Sequence, residues 1–185
     1  MKSMKTAKKT NKSPLFSACL CPAFTLIEIL IVVIILGILA AIIIPKFSSA
    51  SREARENMLR ENLRVIRTQI GIYKAQHRDV APGYPAGDIG QQPTEQEFVA
   101  QLTTFTDAQG NTNPVRTDIY HYGPYMLKMP ENPINTLDTI EVLPDNADLP
   151  ADADDSTGWI LKPADAALFA DCAGVDLSGN LYYSY

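Results

Sequence analysis

FTLIEILIVVIILGILAAIIIPKF, residues Phe24 to Phe47, decides how the rest of the chain is read. Every residue from Ile29 to Ile44 is uncharged, and Glu28 alone interrupts the run before it. Phe24 to Ile44 is 21 residues, and a helix of that length at ~1.5 Å per residue matches the ~30 Å hydrocarbon core of a bilayer. An amphipathic helix would show a polar face at a period of 3.6, and a half-buried strand would alternate; neither pattern is present. Residues 24–44 are therefore expected to form a membrane-spanning helix. A secretory signal would have a shorter apolar core followed by small residues at a cleavage site. Here Pro45-Lys46-Phe47 follows, and the small residues Ala18, Cys19, Cys21 and Ala23 come first. Any cut thus falls before the helix, on its basic side.

Outward from this run the charge is unevenly spread. The first 23 residues hold five lysines and no acid; residues 46–78 hold eight basic residues and three acids; residues 79–185 hold three basic residues and 17 acids. The net charge of -5 over 185 residues excludes a chain-wide basic footprint for nucleic acid. The length allows one compact domain beside an anchor. Lysine bias places the N-terminus in the cytoplasm. Residues 1–23 read as a basic leader, 24–44 as the apolar helix, 45–78 as its amphipathic continuation and 79–185 as a globular head.

In the continuation, Leu59, Leu63, Ile66, Ile70 and Tyr73 recur at alternating spacings of four and three, one apolar stripe on a polar helix. The charged residues from Arg52 to Arg67 fill the other faces, with Glu56 and Arg60 spaced as a favourable pair. About three heptads are few for a coiled coil, and a head follows that needs a face to pack on, so the stripe is assigned to the chain's own C-terminal domain. Asp79, Pro82 and Gly83 end the helix. After a Pro- and Gly-rich loop, Thr94 caps a short helix, with Glu97 completing a capping box and Phe98, Leu102 and Phe105 as the buried face. Asp107 to Pro114 reads as a turn. Thr139–Leu143, Gly158–Lys162 and Ala167–Cys172 read as strands, with Leu181–Tyr185 as a further candidate. Helix first and strands after give an α+β fold, a small antiparallel sheet covering the helix stripe.

Chemistry-bearing constellations are sparse. His77 and His121 have no metal-ligand spacing to another His or Cys, and the sequence holds neither a Gly-x-Ser-x-Gly elbow nor a phosphate loop. Cys19 and Cys21 have neither a second pair for zinc nor a preceding apolar signal for lipidation. Residues 145–155, DNADLPADADD, hold five aspartates and no base. Asp152 and Asp154 have the alternating spacing of a calcium loop, yet no glycine turn and no closing glutamate follow, which excludes an EF-hand. Calcium and a solvated loop remain the two readings.

A short basic leader, then Phe24-Thr25-Leu26-Ile27-Glu28, then an apolar helix, resembles the type III signal of the type IV pilin and pseudopilin superfamily. The resemblance implies a type IV pilin-like fold, cleavage by a prepilin peptidase between Ala23 and Phe24, and N-methylation of Phe24. Ala23 departs from the glycine usual there, which implies slower processing. Glu28, Gly37 and Pro45 match the family pattern. A carboxylate at a membrane helix is costly unless paired, and the amine of a cleaved Phe24, on the same or a neighbouring subunit, would pair with Glu28 during assembly. Gly37 and Pro45 weaken the helix, which in this family implies unwinding within a filament, where an isolated helix would only kink. GPYMLKMPENPIN, Gly123 to Asn135, resembles the segment that major pseudopilins of type II secretion carry before their sheet. Those proteins often use calcium where pilins use a disulfide, and a chain cut after Ala23 keeps only Cys172. The resemblance implies a structural subunit, not an enzyme, that forms a homopolymer with minor pseudopilins on an inner-membrane assembly platform. Its implied place is the cytoplasmic membrane, with the head in the periplasm. A type IV pilus pilin for adhesion, motility or DNA uptake is the alternative, and a membrane-anchored enzyme the remote one.

Overall fold

The computed structural model describes residues 24–146 and 153–185. The leader with Ala23, Cys19 and Cys21, and Asp152 of the acidic segment, lie outside the described residues. Helix α1 is Leu26–Gln76 and runs through both Gly37 and Pro45. Contacts divide the chain after Ile44, so the apolar run and the region 45–185 are two units.

The apolar unit is all exposed flank: Ile31, Ile35, Leu39 and Ile43 are each about half accessible. In the second unit the stripe residues Leu59, Leu63, Ile66, Ile70 and Tyr73 are all buried. They meet Phe98 and Leu102 from α2, Glu95–Thr103, and Trp159, Leu161, Leu168 and Ala170 from the sheet. The helix continuation is thus covered by its own head. The Thr94 hydroxyl accepts from the Glu97 N–H at 3.2 Å, as the capping pattern predicts. Glu95, not Glu97, reaches outward, accepting the Ile140 N–H at 2.8 Å.

Strands β1, Phe105–Thr106, and β2, Thr112–Asn113, form an antiparallel hairpin. The second sheet is β3, Ile140–Val142, β4, Trp159–Lys162, and β5, Ala167–Ala170, in that spatial order. The β4–β5 pair is antiparallel, with Trp159 opposite Ala170 and Leu161 opposite Leu168. At β3 the sheet differs from the all-antiparallel expectation, because β3 runs parallel to β4, Ile140 opposite Trp159. The connection between them, containing the acidic segment, is long enough to return the chain to the same end of the sheet, which a tight hairpin cannot do. Leu181–Tyr185 is likewise not a strand. Tyr182–Ser184 is one 3₁₀ turn, anchored by a single bridge between Val175 and Leu181.

The Gly123–Asn135 segment welds helices to sheet. Tyr125 and Met126 both donate to the Leu102 carbonyl. The Pro130 carbonyl accepts from the Trp159 indole at 3.0 Å. Buried Asn132 donates to the Gly158 carbonyl at 2.7 Å and contacts the Cys172 thiol at 2.9 Å. A Cβ on Gly158 would stand 2.2 Å from the Leu137 carbonyl oxygen, so only glycine lets these segments close.

Candidate functional site

At the start of α1 the Thr25 hydroxyl accepts the Glu28 N–H at 3.2 Å, and the Thr25 carbonyl accepts the Ile29 N–H at 3.3 Å. Thr25 is therefore the N-cap, and Thr25-Leu26-Ile27-Glu28 has the spacing of a capping box. This spacing, which the sequence reading did not use, could have located the start of the helix. The cap leaves Phe24 just outside, 75% exposed. Glu28 lies in the first helical turn, where a carboxylate also meets the positive end of the helix dipole. Nothing lies within 4 Å of a Cβ placed on Gly37, so the fold of a single chain makes no steric demand for glycine there. Pro45 withholds the N–H that the Ala41 carbonyl would accept in an unbroken helix.

A second cluster lies on the other unit, where α1 receives residues 175–185. Glu56 was expected on the solvent face and paired with Arg60, but the structure corrects both points. Its carboxylate is buried and accepts from Arg52 Nε at 3.1 Å, the Tyr182 hydroxyl at 3.0 Å and the Leu177 N–H at 3.1 Å. Glu56 stands three residues before Leu59, so the stripe's own spacing continues through it, and extrapolating that spacing would have found the site. Arg60 instead pairs with Asp176 at 3.0 Å and lies over the Tyr185 ring, 4.4 Å from its centroid. Arg67, also expected outside, is half-buried. Its guanidinium donates to the Leu168 carbonyl at 2.7 and 3.0 Å and to that of Tyr185, and burial lowers its pKa.

Asp176 heads a loop that the chain builds twice. In Asp107-Ala-Gln-Gly-Asn111 and Asp176-Leu-Ser-Gly-Asn180, one carboxylate oxygen accepts the N–H groups two and four residues on. The other oxygen accepts the asparagine amide. Gly110 and Gly179 take left-handed φ of 88° and 87°, and a Cβ on Gly110 would fall 2.6 Å from the Tyr73 hydroxyl. The Asn180 amide, with the Tyr185 hydroxyl and backbone N–H groups, holds the Asp176 carboxyl well below the usual carboxylate range.

The remaining candidates that the structure describes make the following contacts. Asp171, buried, accepts five donors from Asp154, Asp155, Ser156 and Thr157, and Asp154 accepts the Ser156 N–H. Among the described residues no group of three His, Cys, Asp or Glu is placed to hold a metal. His77 is buried and stacked 3.9 Å from Tyr73, between the Tyr73 carbonyl and the Thr106 hydroxyl. Burial lowers its pKa, so it is neutral near pH 7. His121 is exposed beside Tyr122. Cys172 is buried and its thiol is pushed up to about 11, which leaves it protonated and unreactive.

Residues 21–44 match the model of the prokaryotic N-terminal methylation motif. The type II secretion system core protein G of Pseudomonas aeruginosa is 41% identical over 51 residues, covering 28% of this chain and 36% of that protein. The chain thus spans about a third of the length of the curated relative it matches. No solved structure matches. Methylation motif, apolar helix and small sheet together support a type IV pilin or pseudopilin. Within that class the likeness is to the core protein G of type II secretion. Members of the class are structural subunits, and the apolar helix suits a membrane-anchored protein.

Proposed function

We propose that the chain is a structural, non-enzymatic subunit that polymerises into a pseudopilus serving protein export by type II secretion. The leader 1–23 would be removed by a prepilin peptidase and the new amine of Phe24 methylated. The head would lie in the periplasm, and minor pseudopilins and an inner-membrane platform would be the other partners. The observation that carries this reading is the division of one helix. Its motif-bearing half is exposed among the described residues, and the apolar stripe of its other half is buried by the head. An uncovered apolar helix can exchange lipid for copies of itself. Glu28 would then pair with the Phe24 amine as a subunit docks, since an unpaired charge in apolar surroundings is costly. The empty space around Gly37 and the missing donor at Pro45 would let that half loosen as neighbours approach.

The test is Glu28→Leu, co-expressed with the peptidase and compared at equal monomer abundance. Mass spectrometry should find methylated Phe24 and loss of 23 residues in both proteins, and filament yield should fall at least tenfold in the variant. Wild-type yield would refute the pairing, and an intact leader would refute the processing.

A further inference from the structure

One pocket is used neither by the motif nor by the core. Phe47, Ser48, Ser51, Arg52 and Arg55 of α1, with Ile134 and Tyr182, line a space of about 480 Å³. Ser48, Ser51, Arg52 and Arg55 fall at the i, i+3, i+4, i+7 spacing of one helix face. Arg52 is spent on Glu56, the Val175 carbonyl and the Tyr182 hydroxyl. Arg55 is exposed, and among the described residues it has no carboxylate partner. Neither the Ser48 nor the Ser51 hydroxyl donates to another described group, whereas neighbouring Ser49 is tied to the Lys46 carbonyl. The pocket therefore presents a guanidinium fork without a carboxylate partner and two hydroxyls that donate to nothing among the described residues, beside an aromatic ring, Phe47, that is 77% exposed. Such a site suits an anion with four tetrahedral oxygens and an apolar attachment.

The chain also fixes where such an anion would be met. Phe47 is three residues past Ile44, and connectivity keeps it within about 11 Å of the end of the apolar run. Headgroups add roughly 5–8 Å to each side of the hydrocarbon core, and aromatic and basic residues are the ones that settle there. We propose that this pocket binds the phosphate of an anionic phospholipid headgroup. Arg55, Ser48 and Ser51 donate to its oxygens, and Phe47 lies against the glycerol and upper acyl chain. The assignment rests on membrane anchorage alone and not on polymerisation.

The full-length chain in nanodiscs of equimolar phosphatidylglycerol and phosphatidylcholine provides the test, with lipids retained on the ejected protein counted by native mass spectrometry. Wild type should retain phosphatidylglycerol over phosphatidylcholine by about fivefold, the preference one interfacial cation confers. Arg55→Gln should bring the ratio close to one. Arg64→Gln, which removes an exposed cation paired with Glu61 outside the pocket, should leave it unchanged. Equal loss in both variants would reduce the effect to general charge and overturn the site, as would equal retention by wild type and Arg55→Gln. Displacement of the lipid by millimolar inorganic phosphate would reassign the pocket to the free ion. If Arg55→Gln spares lipid retention and lowers chain–chain cross-linking, the pocket faces another copy and the lipid assignment fails. Failure to enter the nanodisc would instead refute anchorage.

Discussion

The two halves of α1 have the same backbone and opposite fates. From Ile29 to Ile44 the helix is apolar on every side, and among the described residues its side chains stay exposed. From Glu56 to Tyr73 one apolar stripe is buried under α2 and the sheet, and the other faces are mostly polar, with Met58, Val65 and Ile72 left exposed. What separates them is the width of the apolar surface. A stripe can be satisfied by one domain, but a full circumference needs a solvent of hydrocarbon or several neighbours. Head stability therefore resides in one half of the helix and not in the other, and substitutions should separate the two.

The largest contrast should come from truncating one leucine or isoleucine in each half. Leu63→Ala empties a fully buried position and should cost about 2–5 kcal/mol of head stability. Ile35→Ala should change it by less than ~0.5 kcal/mol. Denaturation of the detergent-solubilised chain, followed by fluorescence of buried Trp159, reads both, and equal losses would erase the division. A smaller contrast lies within the amphipathic half itself. Glu56→Ala strands the Tyr182 hydroxyl and the Leu177 N–H, and should cost about 2–4 kcal/mol. Glu53→Ala, one turn earlier and exposed, should stay within ~0.5 kcal/mol.

The smallest effect is in the pH dependence. Because the folded state holds Asp176 below the ordinary carboxylate pKa of about 3.9, its contribution is fully present above that value. It is lost as pH falls through the folded value. The melting temperature of wild type should drop from about pH 5 towards about pH 2. Asp176→Asn should start lower at neutral pH and fall less steeply, and parallel profiles would show that the carboxylate is not responsible.

What the sequence made legible follows the same division. Residues 24–44 needed no partner to be read, since composition alone sets their solvent. The stripe from Leu59 to Tyr73 and the Thr94 cap are local periodic or short-range signals, and both appear where the spacing puts them. The parallel partner of β4 did not show in any local pattern, because strand direction depends on where a long connection returns. Glu56 was misplaced because residue type outweighed position. A carboxylate reads as solvent-facing unless its partners, here 121 and 126 residues away at Leu177 and Tyr182, are already known. The repeated Asp-x-x-Gly-Asn loops were visible as letters. Their role in pinning the hairpin and the last segment to Tyr73 and Arg60 emerges only from the assembled contacts.

The clasp at Glu56 also has a consequence for the order of events in time. Contacts that join residue 52 to 182 and residue 60 to 176 are among the most distant in sequence that the chain makes, so their loop-closure cost falls late in folding. A chain still emerging across the membrane would have its apolar helix in place while its head remained open, with Arg52, Glu56 and Arg60 unmatched. A ribosome stalled short of Val175 would leave a protease-sensitive, half-closed head tethered at the bilayer.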